Sequence, residues 1–289
     1  MDKNNKRRIG ILRGGGGDYY QSSLNNGGVI IAHIVENLAD KYKISDILVG
    51  QDDIWHHNGI PINPSDLVNK VDIVWNTTHP SFSNILNSLS ISNVSQESFS
   101  SALQNSKEML REHIKSIGLS IPRSIFFKKA IGRSPMGEAK EVFAKFGAPW
   151  IIKTFNEVKL AKTFNELVDA INGKDNTIVE EFITGKVASV HSVAGFRGED
   201  LYTFPPINIF GDLSLSEKEK LVTLTKDLHN HIGAKHYLKS NFLLNSRGKI
   251  YLLDFESMPN LKSHSHFAQA CESVGVKMHH VVEHILERF

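Results

Sequence analysis

The stretch YLKSNFLLNSRGKIYLLDFE, residues 237–256, constrains the fold of this chain more than any other part of it. Apolar and polar residues alternate on both sides of Ser246-Arg247-Gly248, the pattern of two strands joined by a tight turn. The second strand ends in Asp254 and Glu256, and the single residue between them puts both carboxylates on one face. Like charges held side by side repel each other. Either they stand in water at a strand end or a cation sits between them. Mg²⁺, which takes hard oxygen ligands and often bridges to phosphates, suits such a pair.

Upstream, the segments alternate in type. RRIGILRGGGGDYY runs from an apolar strand into four glycines, and SLNNGGVIIAHIVENLADKY has helical apolar spacing. ISDILVG and KVDIVWNTTH are short buried strands, and SFSNILNSLSI is a helix. This order predicts a small parallel α/β unit over residues 1–98. Gly14 to Gly17 stand where such units bind ligands, at the carboxyl end of the first strand. A flexible turn explains them equally well. Beyond residue 98 the chain reads as helix 105–118 stopped by Gly118, then strands at LSIPRSIFFKK, APWIIKTF and NTIVEEFITG, with a helix TFNELVDAING before the last. Further strands follow in KVASVHSVAGF and DLYTFPPINIF. The helix SEKEKLVTLTKDLHNHIG has Ser216 as its expected N-cap and Gly233 just past its end. GVKMHHVVEHILERF is a closing helix.

Composition narrows the class. Lys and Arg number 33 against 31 Asp and Glu, a net charge of +2, so no basic field marks nucleic acid as the partner. The single Cys271 excludes an intramolecular disulfide and a cysteine-rich metal site, which fits a reducing compartment. No apolar run has the length of a signal segment or a membrane span, so the expectation is a soluble cytoplasmic protein. His279-His280 and His229/His231 have the wrong spacing for chelation from one helix face.

Four pieces in order, NSKEMLREHIKSIGLSIPRSIFF, APWIIKTF, IVEEFITG and KSNF…LLDFESMPNLK…Ser265, make the chain similar to the ATP-grasp superfamily, and within it to the D-alanine–D-alanine ligases. The resemblance covers nearly the whole chain. It implies an α/β fold of α+β ATP-grasp type: a Rossmann-like N-terminal domain, residues 1–98, then a two-lobed ATP-grasp domain, residues 99–289, with lobes of about 99–184 and 185–289. The activity implied is ATP- and Mg²⁺-dependent joining of a carboxylate to an amine through an acyl phosphate, on a small amino-acid substrate. Such ligases make precursors of cell-wall peptidoglycan, and relatives often pair as homodimers through the N-terminal domain.

Carried over residue by residue, the resemblance implies that Lys107 and Lys153 meet the ATP phosphates. Glu180 accepts from the adenine amino group, and the backbone of Glu181, Phe182 and Ile183 follows the purine edge. Asn241, Asp254 and Glu256 take the three metal-ligand positions. Lys239 stands where the family has an arginine facing the acyl phosphate and the oxyanion. Ser265 takes the place of the residue at the substrate carboxylate, and Gly14, Gly15 and His79 match the N-terminal substrate elements.

The departures are as specific as the matches. The family's Gly/Ser-rich phosphate loop is replaced after Lys153 by EVKLAKTFNEL, a short basic turn carrying Lys159 and Lys162. The acidic residue for the ribose aligns with Val187, and the glutamate for the first substrate's amine aligns with Tyr19. The segment that closes over the second substrate is absent, since INIFGDLSLSE leads straight into a helix. These losses leave a second reading open: a pseudoenzyme of the ATP-grasp fold, serving as a nucleotide-binding or interaction module without turnover.

Overall fold

The structure is a computed structural model that describes residues 6–128, 134–154, 157–174 and 176–289. Three sheets organise it. The first contains β1 (Arg7–Gly14), β2 (Tyr42–Val49), β3 (Trp55–His57), β4 (Ile60–Ile62), β5 (Ile73–Asn76) and β6 (Asn93–Val94), in the order β4-β3-β2-β1-β5-β6. Helices α1 (Tyr20–Asn37) and α2 (Phe82–Ser88) connect its strands. The four central strands are parallel, as the sequence predicts, but β3 and β4 add an antiparallel hairpin at one edge. That hairpin escaped prediction because strands of three residues carry almost no periodicity.

Helices α3 (Ser98–Asn105) and α4 (Lys107–Ile114) lead to the second sheet. Its strands are β7 (Ser124–Phe127), β8 (Trp150–Lys153), β9 (Val158–Ala161) and β10 (Thr177–Glu181), ordered β7-β10-β8-β9 and antiparallel throughout. Helices α5 (Pro135–Lys145) and α6 (Phe164–Ile171) cover one face around a core of Trp150, Ile152, Leu167 and Val179. The segment expected as a basic turn is thus a strand. β9 pairs with β8 from Val158 to Ala161, and Lys159 lies beside Glu157 at 3.0 Å. Residues 155–156, inside the expected turn, lie outside the described residues.

The third sheet holds β11 (Gly185–Ala194), β12 (Leu201–Thr203), β13 (Ile207–Phe210), β14 (Tyr237–Asn245) and β15 (Ile250–Glu256). Its order is β12-β11-β14-β15, with β13 also on β11. The single run DLYTFPPINIF divides into β12 and β13 because Pro205 and Pro206 offer no N–H for a ladder. Helix α7 (Leu215–Ile232) is capped by Ser214, not Ser216: Ser214 and Glu217 form a reciprocal capping box. Gly233 ends it in the left-handed conformation, as expected. The chain closes with α8 (His266–Ser273) and α9 (Met278–Glu287).

The first and third sheets share one apolar core. Ile9, Ile30 and Trp75 pack in the same cluster as Phe204, Phe267, Val281 and Ile285. Polar ties cross the same seam: Arg7 donates to the Leu286 carbonyl at 3.1 Å, and His33 Nε2 meets the Leu261 carbonyl at 2.9 Å. A seam of this kind holds the N-terminal strand ends at a fixed place relative to β14 and β15.

Candidate functional site

A cleft of about 480 Å³ opens between the second and third sheets. Pro122, Ile151, Val187, Leu243 and Leu253 give it apolar walls, and the segment 180–185 that links the two sheets forms its back. The walls are apolar because β8, β11, β14 and β15 each turn an alternate residue into the cleft. An apolar slot of this size with polar groups at one end suits a flat heterocycle.

Charge gathers at the floor. Glu180 is 3% exposed, and its carboxylate receives Lys153 Nζ at 2.7 Å and Lys107 Nζ at 3.6 Å. Lys107 comes from the first turn of α4, where Ser106 caps the helix by accepting the Met109 N–H at 3.2 Å. Its ammonium also donates to the Leu253 carbonyl, which ties α4 to β15. Burial pushes the Lys107 ammonium below its ordinary range; Glu180 pulls it back up, and Lys153 adds to the lowering. Two ammonium groups thus share one buried carboxylate and leave an excess positive charge facing the cleft.

Beside them the hairpin register sets two more pairs. Lys239 lies opposite Glu256 and Asn241 opposite Asp254. Lys239 Nζ meets Glu256 Oε1 at 2.8 Å, and Asn241 Nδ2 donates to Asp254 Oδ1 at 2.6 Å. Asn241 Oδ1 is buried and accepts from nothing. A buried carbonyl oxygen without a donor costs about 1–3 kcal/mol. A cation accepted by Asn241 Oδ1, Asp254 and Glu256 would satisfy it, with two carboxylates and one amide as hard oxygen ligands. Among the described residues no three His, Cys, Asp or Glu side chains converge on a metal-sized point.

The structure therefore gathers Lys107, Lys153 and Glu180 at one point, with Asp254 near enough to act on the Lys107 charge, and pairs Lys239 with Glu256 and Asn241 with Asp254 on the adjoining hairpin. Glu181, Phe182 and Ile183 line the cleft as the sequence places them. Two of their amides are already engaged: Glu181 N–H donates to the Arg123 carbonyl at 2.9 Å and Phe182 N–H to the Pro149 carbonyl at 3.2 Å. Glu181 turns its carboxylate to Arg123, which donates from Nε at 2.7 Å. Val187 lies on the cleft wall, so the place of the family's ribose acid is apolar here.

Other expected residues stand apart from the floor. Ser265 caps α8 by accepting the Ala268 N–H at 3.1 Å, which engages its hydroxyl locally, and it is not on the cleft wall. His79 is exposed; its Nδ1 meets Ser81 Oγ at 2.8 Å and its ring lies edge-on to Tyr19. The amides of Gly14 and Gly15 donate to Ser23 Oγ and the Val49 carbonyl, each at 2.9 Å. Gly14 has φ +88°, and a Cβ there would lie 2.2 Å from the Val49 carbonyl, so packing alone demands this glycine. The reading from sequence missed the Leu253 carbonyl and Arg123. No side-chain signal marks a backbone acceptor, and Arg123 acts only once β7 lies beside β10.

Comparisons with known proteins bear on the fold and on its C-terminal part. The family profile described as D-ala D-ala ligase C-terminus matches residues 205–287, the stretch that carries β14, β15 and the acidic pair. A D-alanine–D-alanine ligase of Actinobacillus pleuropneumoniae is 22% identical over 181 residues, which span 54% of this chain and 60% of that protein. Among solved structures, D-alanyl-alanine synthetase A from Vibrio cholerae superposes with a TM-score of 0.76 at 16% identity, covering 96% of each chain. D-alanine–D-alanine ligase from Bacillus anthracis, solved in complex with ATP, gives a TM-score of 0.73 at 19% identity over 97% of this chain and 96% of that one. The chain has the ATP-grasp fold and is a D-alanine–D-alanine ligase-like protein.

Proposed function

We propose that the protein is an ATP- and Mg²⁺-dependent ligase that joins a carboxylate to an amine through an acyl phosphate. The observation that carries this reading is the unpartnered Asn241 Oδ1, opposite Asp254 on the hairpin that also carries Glu256, with Asp254 near enough to Lys107 to act on its charge. In this reading the chain divides near residues 98 and 184, and the nucleotide lies between the second and third sheets. The adenine occupies the apolar cleft, with Ile183 supplying the free amide of the hinge.

Each step follows from the residues at the floor. Lys107 and Lys153 turn their shared positive charge onto the phosphates and hold the γ-phosphoryl group in line with the incoming carboxylate. A carboxylate oxygen of the first substrate attacks the γ-phosphorus, the bond to the β-phosphate oxygen breaks, and ADP leaves. The amine nitrogen of the second substrate then attacks the acyl carbon. Lys239 stands against the oxyanion of that tetrahedral centre, and as a point charge it neutralises without the two-pronged grip of an arginine. The carbon–oxygen bond to phosphate breaks, the nitrogen gives up a proton, and inorganic phosphate departs. Asn241, Asp254 and Glu256 would hold the magnesium, whose chemistry is to neutralise charge on the transferred phosphate.

The test is isothermal titration with a non-hydrolysable ATP analogue, with and without magnesium. Micromolar binding that needs magnesium, about −8 kcal/mol, is the expected result. No binding at millimolar analogue would refute the reading and leave a fold without nucleotide chemistry.

A further inference from the structure

A second cavity, of about 230 Å³, lies between the N-terminal end of α1 and the segment after β15, with Ser22, Trp75, Asn76, Gln104, Met258 and Lys262 on its wall. It continues toward the ligase floor. A neighbouring pocket that includes Glu256 shares Asn26, Gln96, Gln104, Met258 and Pro259 with it.

Three independent features make this cavity a receptor for negative charge. Asn76 is 3% exposed, and its Oδ1 accepts from the Thr78 N–H at 2.9 Å and from Thr78 Oγ1 at 2.6 Å. Those two donors fix the orientation of the amide, and the remaining Nδ2 has no acceptor. Trp75 Nε1, on the same wall, has none either. Buried donors left without acceptors call for an acceptor from outside the chain. The second feature is α1 itself, 18 residues long and without a side-chain cap at its first turn, where Ser22 lines the cavity. Such a helix end favours an anion. Third, the described lining residues include one cation, Lys262, and no carboxylate.

We propose that this cavity binds a carboxylate on the side chain of the acid substrate, so that the substrate is a dicarboxylic amino acid of the glutamate or aspartate class and not alanine. As a substrate subsite the proposal rests on the ligase reading; as a carboxylate site it stands on the cavity alone. The side-chain carboxylate sits under α1 against Asn76 and Lys262, while the reacting carboxyl reaches past Gln104 and Met258 toward Glu256. Asn26, Gln96 and Gln104 give such a chain polar groups along its path, and Val29, Ile30 and Met258 on the same wall take its methylenes.

The test titrates D-glutamate, L-glutamate and alanine into the full-length protein, with and without the ATP analogue and magnesium, and repeats this in Asn76→Asp and Lys262→Gln. Asn76→Asp keeps the acceptor for Thr78 and turns the free donor into an acceptor. Lys262 is exposed, so its variant tests the site even if the buried substitution fails to fold. One glutamate enantiomer should bind at least tenfold tighter than alanine, with a loss of more than tenfold in Asn76→Asp and about fivefold in Lys262→Gln. Glutamate binding no tighter than alanine, or unchanged in Lys262→Gln, overturns the proposal. Glutamate binding as expected without any nucleotide binding refutes the ligase reading and keeps the carboxylate site. Nucleotide binding with a preference for alanine does the reverse.

Discussion

The cleft between the second and third sheets and the cavity under α1 are opposites in how they handle polarity. The cleft has apolar walls, and at its floor nearly every charge is already paired: Glu180 with two lysines, Lys239 with Glu256, Asn241 with Asp254. The cavity has mostly polar walls, and its buried donors at Trp75 and Asn76 are unpaired. Charges that neutralise one another leave the buried Asn241 Oδ1 of the floor as an orphan, and removing either partner of a pair would strand a buried charge. Unpaired donors are a running cost that only a ligand removes. The difference also follows the match to known ligases. The matched profile covers the floor of the cleft from Lys239 to Glu256, whereas Trp75 and Asn76 lie outside it.

Acid gives the largest expected loss and strikes the support common to both regions. His191 on β11 and His229 on α7 are each at most 2% exposed. Burial lowers His191 to about 3 and His229 to about 4, from 6.5. Tyr237 OH lies 2.7 Å from His191 Nδ1 and Ser192 Oγ 2.8 Å from His229 Nδ1, contacts that suit neutral rings. Below pH 6.5 the unfolded chain takes up protons that the native rings refuse. Stability therefore falls as the pH drops from 6.5 toward 4, by about 1.4 kcal/mol per pH unit for each ring. Urea unfolding at pH 7, 5.5 and 4.5 checks this, and a flat profile would show that the rings are not buried neutral.

Glu180→Gln then separates the two regions. It leaves two ammonium groups without their carboxylate and should cost about 3 kcal/mol, read as a lower urea midpoint. Asn76→Asp, which touches only the cavity, should leave nucleotide binding intact. Asp254→Asn comes next. It should weaken magnesium-dependent binding of the ATP analogue about a hundredfold, and an unchanged affinity would remove the metal role from the acidic pair. The smallest effect is a gain. Val187→Glu restores an acid on the cleft wall where the ribose of the nucleotide would lie, and should tighten analogue binding about threefold in the same titration.

Much of this was legible before any coordinates. The hairpin 237–256 announced itself by alternation and a turn, and register then put Lys239 against Glu256 and Asn241 against Asp254. Lys107, Lys153 and Glu180 were each in view, but as three separate contacts to a nucleotide; their pairing with one another joins residues up to 73 positions apart, from Lys107 to Glu180, and no local pattern encodes it. Helices α3, α5 and α8 went unread. Two of them, α3 and α8, have eight residues each, too few for a clear period, whereas the start of α5 is marked in the sequence by Ser134 and Pro135 and was passed over. Ser265, read as a substrate contact, caps α8. Ser216 and Ser214 each have a glutamate three residues on, Glu219 and Glu217, so the sequence offers two capping boxes, and in the structure the helix starts at Leu215 and the box closes at Ser214.

What the sequence by itself determined is the set of elements and the chemistry carried on the strands. A period of two fixes which residues share a face, and glycines and prolines fix where the chain must turn. What only the tertiary structure decided is which of those charges neutralise each other and which donors go without. The first depends on α4 meeting the second sheet at Glu180, and the second on the packing of the first sheet against the third, through Ile30, Trp75, Phe267 and Ile285. Burial turns an ordinary asparagine into an unsatisfied donor, and burial is a property of the assembled core, not of any stretch of the chain.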